Sequence, residues 1–192
     1  RFDDAVKTLL YCQFPNGKSV HFGDSAGGGV AEYRSLNDLM LERGDHTAAW
    51  LRDNLGAANP ASPGDIFKPR SELKPSIPSK TSMHFPVVDW VIMRNDFDNP
   101  ATGAIAAKCG MHDDPHHGHL DAGHFSLYWK GCEFICDNGS PGYDKEYFDE
   151  ARWNYPFAAT IGHHCVMVNG EQQMTCKLKN QPWDLRYGGE IV

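Results

Sequence analysis

The chain has 192 residues, a formal net charge of −7 and a sequence pI near 5.7. Its acidic balance argues against a general nucleic-acid binder, which carries a basic footprint. No apolar run approaches the roughly 18 residues of a membrane-spanning helix, so no membrane partner is expected. A hydrophobic share of 41% and a charged share of 22% are ordinary for a globular protein. A chain of this length makes one large domain or two small ones.

The opening stretch "RFDDAVKTLLYCQFP" does not read as a secretion signal, because Asp3 and Asp4 stand where a basic start is expected. Phe2, Val6, Leu9 and Leu10 have helical spacing. They lead into "FPNGKSVHFGDSAGGG", whose glycines and proline make a loop. "SLNDLMLERG" predicts a helix with Ser35 as N-cap and Gly44 beyond its end. "DHTAAWLRDNLG" repeats the scheme, with Asp45 capping and Gly56 closing.

From residue 57 to 83 the composition changes. Pro60, Pro63, Pro69, Pro75 and Pro78 break every helix, and Lys68, Arg70, Lys74 and Lys80 make the segment basic. It reads as a solvated linker or extended crossover, contact with an anionic ligand being the alternative. Three domains of organisation follow: helices over 1–56, the linker over 57–83, and strands over 84–192.

In that last part "FPVVDWVIMRND" and "GAIAAKCGM" predict a hairpin through "DNPATG". "GHFSLYWKGCEFICDNG" predicts a clearer one turning at Lys130–Gly131, and "HCVMVNGEQQMTCKL" another turning at Asn169–Gly170. Successive hairpins imply an antiparallel sandwich, and the helices before them an α+β chain of more than one domain. The chain starts inside a helical pattern and ends on the hydrophobic "YGGEIV", from which a truncated piece of a longer chain is expected. None of the cysteines (Cys12, Cys109, Cys132, Cys136, Cys165, Cys176) forms a C-x-x-C pair, and buried free thiols are the expectation.

The chemistry concentrates in "DDPHHGHLDAGHF", Asp113 to Phe125. In an extended chain His117, His119 and Asp121 project to one face, a donor set that suits a borderline metal such as zinc. Equally, one histidine can hold a metal while its neighbour faces a substrate. The remaining histidines His112, His116 and His124 read as a polar loop. Asp137, before a turn, and His163 and His164, before a strand, lie where a sheet rim can gather them with His119, although an acid in Asp137's position ordinarily caps its turn.

In order along the chain, "FPNGKSVHFGDS", "FPVVDWVIMRNDFD", "HGHLDAGHF", "ICDNGS", "YDKEYFDEARWNY" and "GHHCVMVNGEQQ" resemble the heparinase II/III-like polysaccharide lyases. That resemblance implies the end of an incomplete α/α toroid followed by an antiparallel β-sandwich, with the active site in the cleft between them. It makes His117, the first histidine of H-x-H, the catalytic residue. His119, Asp137 and His163 become ligands of one mainly structural zinc ion. His163 matches rather than His164, which stands where the family has asparagine. His124, Asn138 and Cys165 also depart from the family pattern, at its serine, proline and threonine. The family's catalytic tyrosine and its carboxylate-neutralising residue lie upstream of the matched part.

The implied reaction is β-elimination on a uronate-containing polysaccharide, a glycosaminoglycan such as heparan sulfate or else alginate. A neutralised carboxylate makes the C5 proton acidic, a base removes it, and an acid protonates the departing O4. Arg94 is a candidate for pairing with a sugar carboxylate or sulfate, a surface ion pair being the alternative. Tyr143, Tyr147, Trp153 and Tyr155 are candidates for stacking on sugar rings, and packing is their ordinary role. The resemblance also implies a periplasmic or secreted location, the rest of a longer chain as partner, and room for a homodimer. Two other readings remain at this point: a non-catalytic carbohydrate-binding sandwich, and a metallo-β-lactamase-type hydrolase. The latter's H-x-H-x-D string normally continues with histidine where Ala122 stands.

Overall fold

The computed structural model describes residues 2–25, 34–55, 71–110, 117–140, 142–174 and 189–192. Three helices, α1 (Phe2–Tyr11), α2 (Arg34–Glu42) and α3 (His46–Asn54), precede five strands, β1 (Ser82–Phe85), β2 (Trp90–Arg94), β3 (Ala104–Lys108), β4 (Phe125–Trp129) and β5 (Cys132–Ile135). The strands form one antiparallel sheet in chain order, each beside its sequence neighbour.

Local chemistry accounts for most of these boundaries. Asp45 caps α3 as expected, accepting from the Thr47 and Ala48 backbone N–H groups at 2.7 and 2.9 Å. Helix α2 begins one residue before the expected cap, so Ser35 lies within its first turn. Lys130 and Gly131 both have positive φ, the backbone of a tight hairpin turn matched to the twist of β4 and β5. The segment read as one strand from Phe85 to Asp96 is broken. A turn over 86–89 ends with Asp89 at φ 52°, so the sheet begins with β1, which extends two residues into the expected linker.

Alternation along the strands gives the sheet one well-buried face. Register aligns Ile92 with Ala106 and Ala106 with Ser126, and likewise Arg94 with Ala104 and Ala104 with Tyr128. These six are buried, while Met93, between Ile92 and Arg94, is exposed. Against this face pack Leu9, Leu10 and Tyr11 of α1, Phe14, Val20 and Phe22 of the loop after it, and Trp50 and Leu51 of α3, in one continuous core. Helices and sheet are therefore fused through their apolar faces, and the loop after α1 is held on the sheet. The described part of the linker also lies on the helices: Ser71 and Leu73 carbonyls accept from Arg52, the Lys74 carbonyl lies 2.7 Å from the His46 ring, and the Lys80 carbonyl accepts from Tyr11. These contacts tie it to the helices at a few carbonyls while most of its residues stay exposed.

One expectation needs correcting. Cys132, at the start of β5, and Cys136, just after it, are exposed thiols, and Cys12, Cys109 and Cys165 are half-buried rather than buried. Among the described residues the hairpin at Asn169–Gly170 shows as a bridge between Val168 and Glu171, and residues 175–178 of its second arm lie outside them. Gly56, residues 57–70, His112, His116 and Cys176 fall outside the described residues.

Candidate active site and metal centre

Segments far apart in sequence meet beside β3 and β4. The loop after α1 delivers Asp24. Gly23 makes this approach feasible: its φ is +62°, and a Cβ there would stand 2.7 Å from the His117 carbonyl oxygen. That carbonyl accepts from the Asp24 backbone N–H at 3.2 Å, stitching the loop to the histidine segment. Residues 117–124 are turn and irregular chain rather than a strand, so the expected common face of His117, His119 and Asp121 does not form. Asp121 instead pairs with Lys108 of β3 at 2.6 Å, fully buried.

His119, Asp137 and His163 come together as expected. Each offers a ligand atom, and these atoms lie within 4.8 Å of one another. Asp137 ends the segment after β5, and its two oxygens divide the work. Oδ1 caps the following turn through the Gly139 N–H at 2.8 Å, and Oδ2 takes the His163 Nδ1 at 3.0 Å. Asn138 ties this turn to a short 3-10 helix (Thr160–Gly162) by donating to the Gly162 carbonyl at 2.6 Å, which sets His163 directly beside Asp137.

His124, read as part of a polar loop, lies in irregular chain just before β4 but is not solvated. Its ring is wholly buried, 3.2 Å from Asp137 Oδ2, and its Nδ1 accepts from the His164 backbone N–H at 3.1 Å. Burial pushes its pKa down to about 4, against the pull of Asp137, so it is a neutral member of the cluster's wall. The side chain of His164 is exposed, and His163 is the buried one.

The cluster's hub is a residue to which the sequence reading gave no role. The Asp24 carboxylate, 4% exposed, accepts from Tyr147 Oη at 2.6 Å, His119 Nε2 at 2.8 Å, His117 Nδ1 at 3.0 Å and Arg152 Nη2 at 3.2 Å. Burial alone would raise its pKa. The hydrogen bonds from Tyr147, His119 and His117 and the charge of Arg152 outweigh that and hold it below the ordinary carboxylate range. Arg152 is itself fully buried, lies 4.3 Å over the Tyr147 ring and donates to the Gly118 carbonyl at 2.8 Å.

His117 differs from its neighbours in being 56% exposed. It stands on the wall of a cleft of about 1140 Å³ with Asp24, His119, His84, Lys108 and Tyr143. Tyr143 Oη lies 3.3 Å from its Nδ1, and the half-exposed Phe148 ring stands 6.0 Å away, edge to face. Of the side chains expected at a sugar, Tyr143 lines this cleft. Arg94 does not: it is buried, donates to the Leu10 carbonyl at 3.4 Å, the Tyr11 carbonyl at 3.2 Å and the Gln13 carbonyl, and so closes the end of α1. Tyr155 donates to Asp144 at 2.6 Å and packs on Tyr147, while Trp153 is half-buried near Arg152.

Asp24 and Arg152 escaped assignment, and Tyr147, a candidate for sugar stacking, donates to Asp24 instead, because the chemistry of all three is one of contacts. A glycine–aspartate pair in a loop, and an arginine within "EARWNY", reveal nothing until residues 93 or more positions apart in sequence meet.

The residues fit a metal. His119 Nδ1 and His163 Nε2 are buried nitrogens without a hydrogen-bond partner, and two imidazoles with a carboxylate make a donor set of zinc type. Zinc bonds of about 2.0–2.2 Å would draw the set closer together.

A family model for the heparinase II/III-like C-terminal region matches residues 77–187, more than half of the chain. The chain belongs to the heparinase II/III-like family. Among solved structures it is similar to heparan sulfate lyase HepC from Pedobacter heparinus, at 18% identity and a TM-score of 0.63 over 91% of this chain and 25% of that one. A structure of heparinase III gives 16% identity and a TM-score of 0.62 over 92% of this chain and 27% of that one. The chain thus spans about a quarter of the length of the structures it matches. No curated protein matches it.

Proposed function

We propose that this chain carries part of the active site of a polysaccharide lyase that cleaves uronate-containing chains by β-elimination. The observation that carries the proposal is His117: an imidazole on a cleft wall, its Nδ1 3.0 Å from a buried carboxylate. An imidazole so held accepts a proton without reorienting, and the carboxylate stabilises the imidazolium that results. Family membership supports the reaction class, and the likeness to the heparan sulfate lyase HepC makes a heparan-type uronate polysaccharide the first substrate to try.

In this reading His117 takes the C5 proton or returns one to the departing O4, according to the configuration at C5. The new double bond forms between C4 and C5 as the C4–O4 bond breaks. Tyr143, beside His117, contacts the sugar or its protons. His119, Asp137 and His163 hold one zinc ion, which neutralises the buried carboxylate charge and locks the rim of the sheet. The helices supply one wall as the tail of a larger helical domain, so the activity is expected of the longest form of the protein obtainable.

The test is ultraviolet absorbance during digestion of heparan-type, chondroitin-type and alginate chains, alongside His117→Ala. A rise from the unsaturated product that disappears in the variant supports the reading. Saccharide binding with no rise would replace it with a binding module.

A further inference from the structure

We propose that Asp24 is a positioning residue whose single carboxylate sets the ring tautomers of His117 and His119, in opposite senses. Its consequence for catalysis rests on the lyase reading above; the tautomers themselves do not.

An ionised carboxylate only accepts hydrogen bonds, so any ring nitrogen bonded to it must carry a proton. Asp24 Oδ2 meets His117 through Nδ1 at 3.0 Å, and Oδ1 meets His119 through Nε2 at 2.8 Å. A neutral imidazole has one N–H, so the lone pair falls on the opposite nitrogen in each ring. For His117 that is Nε2, on a ring at the cleft wall, where a base is wanted. For His119 it is Nδ1, which is buried and has no hydrogen-bond partner. A buried bare acceptor is destabilising unless something satisfies it, and a metal ion does so. The two rings thus present a base and a ligand from different nitrogens because they face the same carboxylate by different edges.

The carboxylate cannot easily turn to exchange these roles. Oδ1 also accepts from Tyr147 and from the buried Arg152, while Oδ2 is the oxygen nearest His117. Its backbone is fixed by the Gly23 approach to His117 and by the N–H it donates to the His117 carbonyl. Tyr143 Oη also reaches His117 Nδ1, at 3.3 Å, but the shorter bond to an ionised acceptor holds the proton. A carboxylate that served only as the counter-ion of Arg152 would need neither histidine.

The experiment is nitrogen-15 NMR of the histidine rings in the zinc-loaded protein, at a pH where His117 is neutral. His117→Gln and His119→Gln serve to assign the signals. The wild type is expected to show His117 protonated at Nδ1 and His119 protonated at Nε2. Asp24→Asn replaces one acceptor oxygen with an N–H donor. It is expected to mix or invert at least one tautomer and to raise the zinc dissociation constant roughly 10–100-fold. With zinc saturating, its kcat on a cleaved polysaccharide should fall about 100-fold with KM within about twofold, as loss of proton transfer alone would give. Asp24→Glu should recover part of the tautomer preference.

A neutral His117 carrying its proton on Nε2 in the wild type would overturn the proposal, and that spectrum needs no variant to fold. Unchanged tautomers in Asp24→Asn would overturn it too, leaving any loss of kcat to a structural role. If no polysaccharide is cleaved, the lyase reading falls, while the ring spectra and zinc affinity still decide the role of Asp24.

Discussion

Replacing Arg152 by methionine keeps the length of a buried side chain and removes every donor. The guanidinium gives up its contacts with the Gly118 carbonyl at 2.8 Å and Asp24 Oδ1 at 3.2 Å, and its stacking on Tyr147. With an effective dielectric constant near 20, a charge pair at that separation is worth about 5 kcal/mol before desolvation is subtracted. Breaking a buried pair from one side costs about 3–5 kcal/mol, because the remaining charge is stranded. Asp24 keeps Tyr147 and two imidazoles, which places the expected loss at the lower end, about 3 kcal/mol. Urea unfolding at neutral pH measures it. With a slope of about 2 kcal/mol per molar, the midpoint should drop by about 1.5 M. A drop of less than about 0.3 M with an unchanged slope would show that Arg152 does not sustain the buried carboxylate, and the hub described here would be refuted.

Stability of the metal-free protein should fall as pH is lowered from about 6.5 towards 4. His124 is neutral in the fold with its pKa pushed down to about 4, so the unfolded chain binds the extra proton in that window, a loss of about 3 kcal/mol. Replacement of His124 by glutamine should flatten this slope, read from urea midpoints across the range. His119→Ala should strip the zinc measured by atomic emission and lower the melting temperature, whereas His117→Ala should leave the zinc content unchanged and lower the melting temperature less. Asp45→Ala removes the acceptor of two backbone N–H groups at the start of α3 and should cost about 1 kcal/mol by the same denaturation.

How much of this was legible in the sequence depended on the range of the interaction. The α3 cap, the β4–β5 hairpin and the order of helices before strands are local or periodic features, written within about ten residues of themselves. His119, Asp137 and His163 were legible through an ordered set of short motifs, and their fold placement brings them together. The break between β1 and β2 was not, because "FPVV" is apolar throughout and Asp89, at positive φ with His84 and Gly110 as partners, turns the chain. Arg94 has the look of a surface cation at a strand end, yet register places it opposite Ala104, facing the end of α1. Burial then pushes its guanidinium down to about 10. Asp24 and Arg152 belong to the same class: charges whose partners lie in other elements.

The most direct test of the central claim is the fate of solvent oxygen. A uronate polysaccharide digested in heavy-oxygen water, with the products read by mass spectrometry, separates elimination from hydrolysis in one spectrum. Elimination is expected to leave the new ends free of solvent oxygen beyond anomeric exchange, with one product lacking the elements of water. Two saturated products, with heavy oxygen at the new reducing end beyond what anomeric exchange gives, would contradict a lyase and make His117 part of a hydrolytic site.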